Sequence, residues 1–412
     1  MRRNGHQRSA IVIGGSIGGL FVGNMLARAG WRVDIFERVQ DALASRGTGI
    51  ARHAEMPKLL ELAGADDSGS LGIQVDGRTA YHRSGAQVAH FDYPQHLAAW
   101  SRVFMALEKA FPGEQYHRGK DLLSLEQDDD GVVARFGDGT HASADVLIGA
   151  DGFRSTVRAL LAPEIVPDYC GYVAWRGMVE EGELSDAFRR DTYARYAFCF
   201  PSGGQFIGYP VVNGDDSADG NGRRYNFLWY SHVADGHDLT DLLTDGTGRI
   251  HQYSIAPPLI RREHISALKN MAREKLPEQF AEVVCITKQH LLQPIYDVES
   301  QKVAFGRVAL IGDASFVARP HVGTGVLKAG QDARAVVDCL AAGKSVPEAL
   351  ARYEAERLIP NRDTVRLGRY LGAFIERGLA GPEVDPTLGL DIPKIIRISA
   401  RPTPEVMELL LQ

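Results

Sequence analysis

A short apolar run that breaks on small residues constrains this chain more than any other feature. Ile11-Val12-Ile13 runs straight into Gly14-Gly15-Ser16-Ile17-Gly18-Gly19, then into a helical pattern from Leu20 to Ala29 that stops at Gly30. Trp31 to Phe36 alternates as a second strand and ends at Glu37. Strand, tight turn, helix and strand make a βαβ unit. In the pattern Gly-x-Ser-x-x-Gly, Gly14 permits the turn, the second small position lets the backbone approach a phosphate, and Gly19 lets helix pack on strand. Ser16 stands where glycine is usual, but it is small and can donate a hydrogen bond. The helix start offers free N–H groups to an anion. Glu37 stands 18 residues beyond Gly19, near the spacing of an acid that binds a ribose hydroxyl. The unit reads as a dinucleotide cradle made of Gly14, Gly15, Ser16, Gly18, Gly19 and Glu37, with Arg38 beside it. Alone it selects no particular dinucleotide, and a tightly packed empty turn needs the same glycines.

The chain has 412 residues, more than one ordinary domain. Its 44% hydrophobic and 24% charged composition is that of a globular protein, and a net charge of −6 argues against nucleic acid as a partner. No run approaches the roughly 20 apolar residues of a membrane span. Cys170, Cys199, Cys285 and Cys339 are far apart and form no Cys-x-x-Cys, so they read as reduced thiols of a cytoplasmic protein, with no disulfide framework and no metal site. From about Asp168 to Tyr296 the texture turns aromatic and alternating, as in an antiparallel sheet, and Val303 to Gly312 returns to a buried parallel-type strand. His96 to Phe111, Gly325 to Leu340 and Val346 to about Arg377 read as helices. The predicted fold is α/β: a discontinuous Rossmann-like domain with an inserted, mainly antiparallel β-sheet domain and C-terminal helices. The expected boundaries are 1–75, 95–167 and 300–345 for the nucleotide domain, 76–94 and 168–299 for the sheet, and 346–412 for the helical region.

Two further segments narrow the ligand. Val146 to Gly149 leads into Asp151-Gly152, with Ser155 and Arg158 following. Val308 to Ile311 leads into Gly312-Asp313, with Pro320, Gly323, Gly325, Ala329 and Asp332 beyond. Together with the glycine turn, in this order, the segments resemble the FAD-dependent class A aromatic hydroxylases. Gly171-Tyr172-Val173-Ala174-Trp175-Arg176-Gly177, Asn226 to Tyr230, Arg319-Pro320-His321 and Lys328-Ala329 are most similar to the 2,6-dihydroxypyridine hydroxylases. Phe316 and Leu327 depart from the class at large, where histidine and asparagine are common.

The resemblance implies FAD as cofactor, NADH or NADPH as reductant, and molecular oxygen and a small aromatic as substrates. Oxygen would reach an electron-rich ring carbon through a C4a-hydroperoxyflavin, and a dihydroxypyridine-like N-heterocycle is the expected ring. It also implies that Asp151 helps hold the FAD pyrophosphate, that Asp313 binds the ribityl chain, and that the Pro320–Gly325 loop meets the flavin. Arg46, before Gly47-Thr48-Gly49, and Arg102, near the position of a flavin-side arginine, are further candidates; that register also falls on Trp100. Candidate substrate-orienting groups are His321, Tyr209, Arg176, Trp229 and His53; sheet packing would also explain Arg176 and Trp229, and a surface position at a helix start would also explain His53. A halogenase or reductase on the same scaffold, or a non-catalytic FAD sensor, are the alternatives; Trp229 lacks the Trp-x-Trp-x-Ile-Pro setting usual in halogenases. A homodimer stands as an open option.

Overall fold

The computed structural model describes residues 7–41, 49–66, 72–212 and 222–411. Two large sheets organise them. The first has six strands in the order Ala304–Phe305, Val308–Leu310, Val146–Gly149, Ser9–Ile13, Arg32–Glu37, Tyr116–Arg118, parallel except for the two-residue edge strand. Its central strands are buried on both faces, which is why they read as continuous apolar runs. The helices Ile17–Arg28 and Gly325–Ala342 pack together over one face. A three-stranded meander, Leu122–Gln127, Val132–Phe136 and His141–Ala144, covers the other.

The second sheet has nine strands, in the order Phe316–Val317, Leu291–Glu299, Asp168–Glu180, Arg223–His232, Gly204–Val212, Tyr196–Cys199, Gly72–Tyr81, Gln87–Ala99, Gly49–Arg52. It is antiparallel except where Tyr196–Cys199 runs parallel to Gly72–Tyr81. The boundaries expected at 75/76 and 94/95 therefore fall inside strands, because the hairpin Gly72–Ala99 is longer than its alternating stretch and carries two register shifts. The helix expected from His96 starts at Trp100, since His96 to Ala99 is still paired to Gly49–Arg52.

Strict alternation divides this sheet into two environments. Val173, Trp175, Phe206, Phe227 and Trp229 point to one side and pack under the helices Arg262–Lys275 and Glu278–Ile286. The alternation of the flanking strands gives no warning of those helices. Tyr172, Ala174, Ile207, Tyr209, Leu228 and Tyr230 point to the other side, toward the first domain and the C-terminal helices Val346–Glu376, Ile392–Ile398 and Thr403–Leu411. Among the described residues no helix is long and apolar enough to cross a membrane.

Candidate active site

The glycine turn is built by close contact. Gly14 has φ 100°, and a Cβ there would lie 2.4 Å from the Ala150 carbonyl oxygen; one on Gly19 would lie 1.8 Å from that of Gly14. The Glu37 carboxylate accepts from the Gly15 N–H at 2.8 Å and from the Val39 N–H at 2.9 Å, and Tyr116 Oη donates to the Gly15 carbonyl at 2.8 Å. The Ser16 side chain makes no capping bond to its own helix and lines a groove of about 200 Å³ with Gly14, Glu37, Arg38, Trp100 and Asp151. Asp151 accepts from the Thr156 and Val157 N–H groups at 2.7 and 3.1 Å and from Ser155 Oγ, so it caps the helix Thr156–Leu161 while facing the groove. Burial pushes its carboxyl above the usual range, against the hydrogen bonds it receives.

The groove shares Arg38, Trp100, Asp151 and Gly152 with a deeper cleft of about 680 Å³. Asp313, Pro320, Gly323, Gly325 and Lys328 form its floor. Arg158 ties this floor to the Asp151-Gly152 turn, with Nη1 donating to the Ala314 carbonyl at 2.9 Å and Nη2 to that of Phe153 at 2.7 Å. Asp313 is surrounded by protein, yet its carboxylate opens onto the cleft. Burial raises its pKa, while Lys328 and Arg158 pull it down. Lys328 is 3% exposed, its ammonium has no hydrogen-bond partner, and burial lowers its pKa. A cation in the first turn of a helix also opposes the helix dipole.

The face of the nine-stranded sheet closes the cleft. Arg176, Tyr209, Leu228, Gln293 and Ile295 line it, with Leu97 and Tyr196. Tyr209 fits because Gly49 has no side chain; a Cβ there would lie 2.3 Å from the tyrosine ring. Burial pushes the Tyr209 phenol well above its ordinary pKa, so it is a neutral donor.

Four expected residues are elsewhere, and Arg46 lies outside the described residues. His321 turns away from the cleft: its Nε2 meets Tyr172 Oη at 2.9 Å, its ring packs on Tyr230, and burial lowers its pKa to about 3. The 3-10 turn Pro320–Val322 aims successive side chains in different directions, so a neighbour of Pro320 need not share its exposure. Trp229 pairs with Trp175 on the opposite face of the sheet, as its parity with Phe227 requires. His53 does not line the cleft; its Nε2 meets the Gly323 carbonyl at 2.8 Å and so braces the loop. Arg102 is off the cleft wall, where the register places Trp100 instead. Gln293 was not foreseen. A polar residue in phase with Leu291 and Ile295, in the apolar first half of its strand, was the available signal.

Comparison with known proteins agrees with this architecture. A family described as FAD binding domain matches residues 7–205, and one described as FAD binding domain-like matches residues 169–297. The 2,6-dihydroxypyridine 3-monooxygenase of Paenarthrobacter nicotinovorans is 32% identical over 394 residues, covering 93% of this chain and 96% of that protein. The FAD-dependent urate hydroxylase of Klebsiella pneumoniae is 28% identical, covering 87% and 88%. The solved structure of 2,6-dihydroxypyridine-3-hydroxylase from Arthrobacter nicotinovorans superposes with a TM-score of 0.85 at 28% identity, covering 95% and 98%. The chain belongs to the class A FAD-dependent monooxygenases.

The cleft suits that cofactor. Gly152 and Gly325 face open space where a Cβ would meet nothing within 4 Å. The Lys328 ammonium, which has no hydrogen bond and only a 3.9 Å ion pair to Asp332, and the Asp313 carboxylate line the same cleft, and Arg38 supplies a cation where groove and cleft join.

Proposed function

We propose that the protein hydroxylates a hydroxylated N-heteroaromatic ring of dihydroxypyridine type, held between the Asp313–Lys328 floor and the wall of Tyr209, Arg176 and Gln293. One observation carries the reading: the cleft runs unbroken from the floor that suits FAD to an apolar sheet face bearing a few polar groups, the usual form of a small-ligand site. FAD, reduced by NADH or NADPH, supplies the oxygen-activating chemistry. Glu37, Ser16 and the glycine turn hold its adenosine and pyrophosphate part; Asp313, Lys328 and the loop through Gly323 hold the rest. Leu97, Leu228, Ile295 and Val322 exclude water from the reacting ring. Tyr209 Oη, kept neutral by burial, donates to a ring oxygen and orients the ring. Names of the relatives, a dihydroxypyridine monooxygenase and a urate hydroxylase, support an oxygenated nitrogen ring over halogenation, reduction or sensing. Free thiols at all four cysteines support a reducing, cytoplasmic setting.

The test is NAD(P)H consumption by FAD-loaded protein across hydroxypyridines, hydroxylated purines and phenols, with product analysis and peroxide assay. A hydroxypyridine should stimulate consumption and appear as a hydroxylated product. Stimulation by phenols alone would move the substrate class, and peroxide as the sole product with every ring would refute hydroxylation.

A further inference from the structure

The wall above the cleft carries a cation that the fold does not use. Arg176 projects from the strand Asp168–Glu180 on the face shared with Ala174 and Leu228, and its Nη1 donates to Gln293 Oε1 at 2.7 Å. That acceptor is a neutral amide. Among the described residues no carboxylate forms an ion pair with Arg176, and its Nε is buried without a partner. The titratable groups that act on it are the phenols of Tyr209 and Tyr230, both raised by burial and therefore neutral. Asp313 lies in the same cleft but answers to Lys328, Asp332 and Arg158, and Asp151 is occupied as a helix cap.

The other deep arginines are consumed by structure. Arg319 pairs with Asp297 and Glu376. Arg158 donates to carbonyl oxygens on either side of it, and Arg78 to those of Ile396 and Ala400. A guanidinium stays charged at any ordinary pH, and burying it unpaired is costly. Its planar fork suits a carboxylate or another paired oxygen anion.

We infer that Arg176 and Gln293 form an anion subsite, and that the ring enters bearing a negative charge on oxygen, as a carboxylate or an ionised ring hydroxyl. Gln293 fixes the guanidinium through its carbonyl and leaves its amide N–H groups for the same ligand. The inference rests on the hydroxylase reading above and adds the charge state of the substrate.

Calorimetric titration of the FAD-loaded protein without NAD(P)H separates binding from turnover. The carboxylate arm compares 6-hydroxynicotinate with its neutral amide, 6-hydroxynicotinamide. The ring-oxygen arm follows 2,6-dihydroxypyridine through its ionisation. The anion should bind more tightly in at least one arm, and the responding arm identifies the source of the charge. Arg176→Gln should weaken that anion about 10- to 100-fold and the neutral amide far less. Gln293→Glu, which sets a carboxylate against the retained guanidinium, should abolish the same preference. FAD content unchanged in both variants reports an intact fold. Equal binding of carboxylate and amide, with flat dihydroxypyridine affinity across its ionisation, would overturn the subsite; product formed from the same ligands would leave the hydroxylase reading standing. Loss of every anion and the amide alike in Arg176→Gln would also overturn it, since the residue would then shape the cleft without selecting charge. Absence of both binding and product with all three rings would remove the subsite and the hydroxylase reading together.

Discussion

Asp313 and His321 lie eight positions apart and owe their character to opposite surroundings. The Asp313 carboxylate faces an open cleft, so its removal should be felt by a ligand more than by the fold. Asp313→Ala should weaken FAD binding by about 1.5–3 kcal/mol, roughly ten- to a hundredfold, in a fluorescence titration. Unchanged affinity would place FAD off that carboxylate. His321 is enclosed as a neutral ring against Tyr172 and Tyr230, with a pKa lowered to about 3 from 6.5. Between those values the unfolded chain binds the extra proton, so folding stability is present above pH 6.5 and drains away as pH falls toward 3. One such group gives a slope of at most about 1.4 kcal/mol per pH unit. Burial lowers His53 and His290 in the same direction. Urea midpoints from pH 7 to pH 5 should fall, and His321→Asn should flatten the decline; an equal decline in the variant would assign the acid sensitivity to other groups.

At the scale of elements, the C-terminal helices are fastened to the nine-stranded sheet at two places: Arg362 and Arg369 pair with Glu299 and Asp297, and Arg78 ties down the end of Ile392–Ile398. Arg78, fully buried on the strand Gly72–Tyr81, donates to the carbonyls of Ile396, Ser399 and Ala400 and to Gln95 Oε1. Ala400, at φ 49°, packs its methyl group against Gly323 in the floor of the cleft and donates its N–H to the His321 carbonyl. Arg78→Met removes the donor to the Ile396 and Ser399 carbonyls, while Ala400 keeps the Gln95 amide, and should destabilise the protein by about 3 kcal/mol. Limited proteolysis should then cut between Arg377 and Asp391 faster than in the parent; an unchanged cleavage rate would show that apolar packing alone holds the segment. Such a fastening could not be read from sequence, because Arg78 and Ala400 are 322 positions apart and an arginine in a strand looks solvent-facing. The βαβ unit was legible because its signal is local: glycines where backbone touches backbone, then an acid at a fixed distance. The strand of Tyr209 was expected to face the cofactor, and Tyr209 does line the cleft; Trp229 was expected on the same wall although its parity with Phe227 sends it to the far side. His321 was misread because a short irregular turn has no period from which to infer direction.

For the whole molecule, the cofactor cleft is lined by elements of both sheets, so bound FAD should behave as part of the structure. With FAD in hundredfold excess over its dissociation constant, linkage adds about 2.7 kcal/mol to folding stability. The midpoint of thermal unfolding should therefore rise with FAD concentration, and a midpoint insensitive to FAD would mean that the cleft forms without regard to its occupant. The nine-stranded sheet has a consequence of another kind. Its far side is a packed core, while the near side of the same strands lines the cleft. Substrate preference can therefore drift, by selection or by design, through positions of a single parity such as Ala174, Arg176, Ile207, Tyr209, Leu228 and Gln293. The intervening positions are packed into the far core and leave no room for such redesign, which makes this wall an exchangeable faceplate mounted on a fixed chassis.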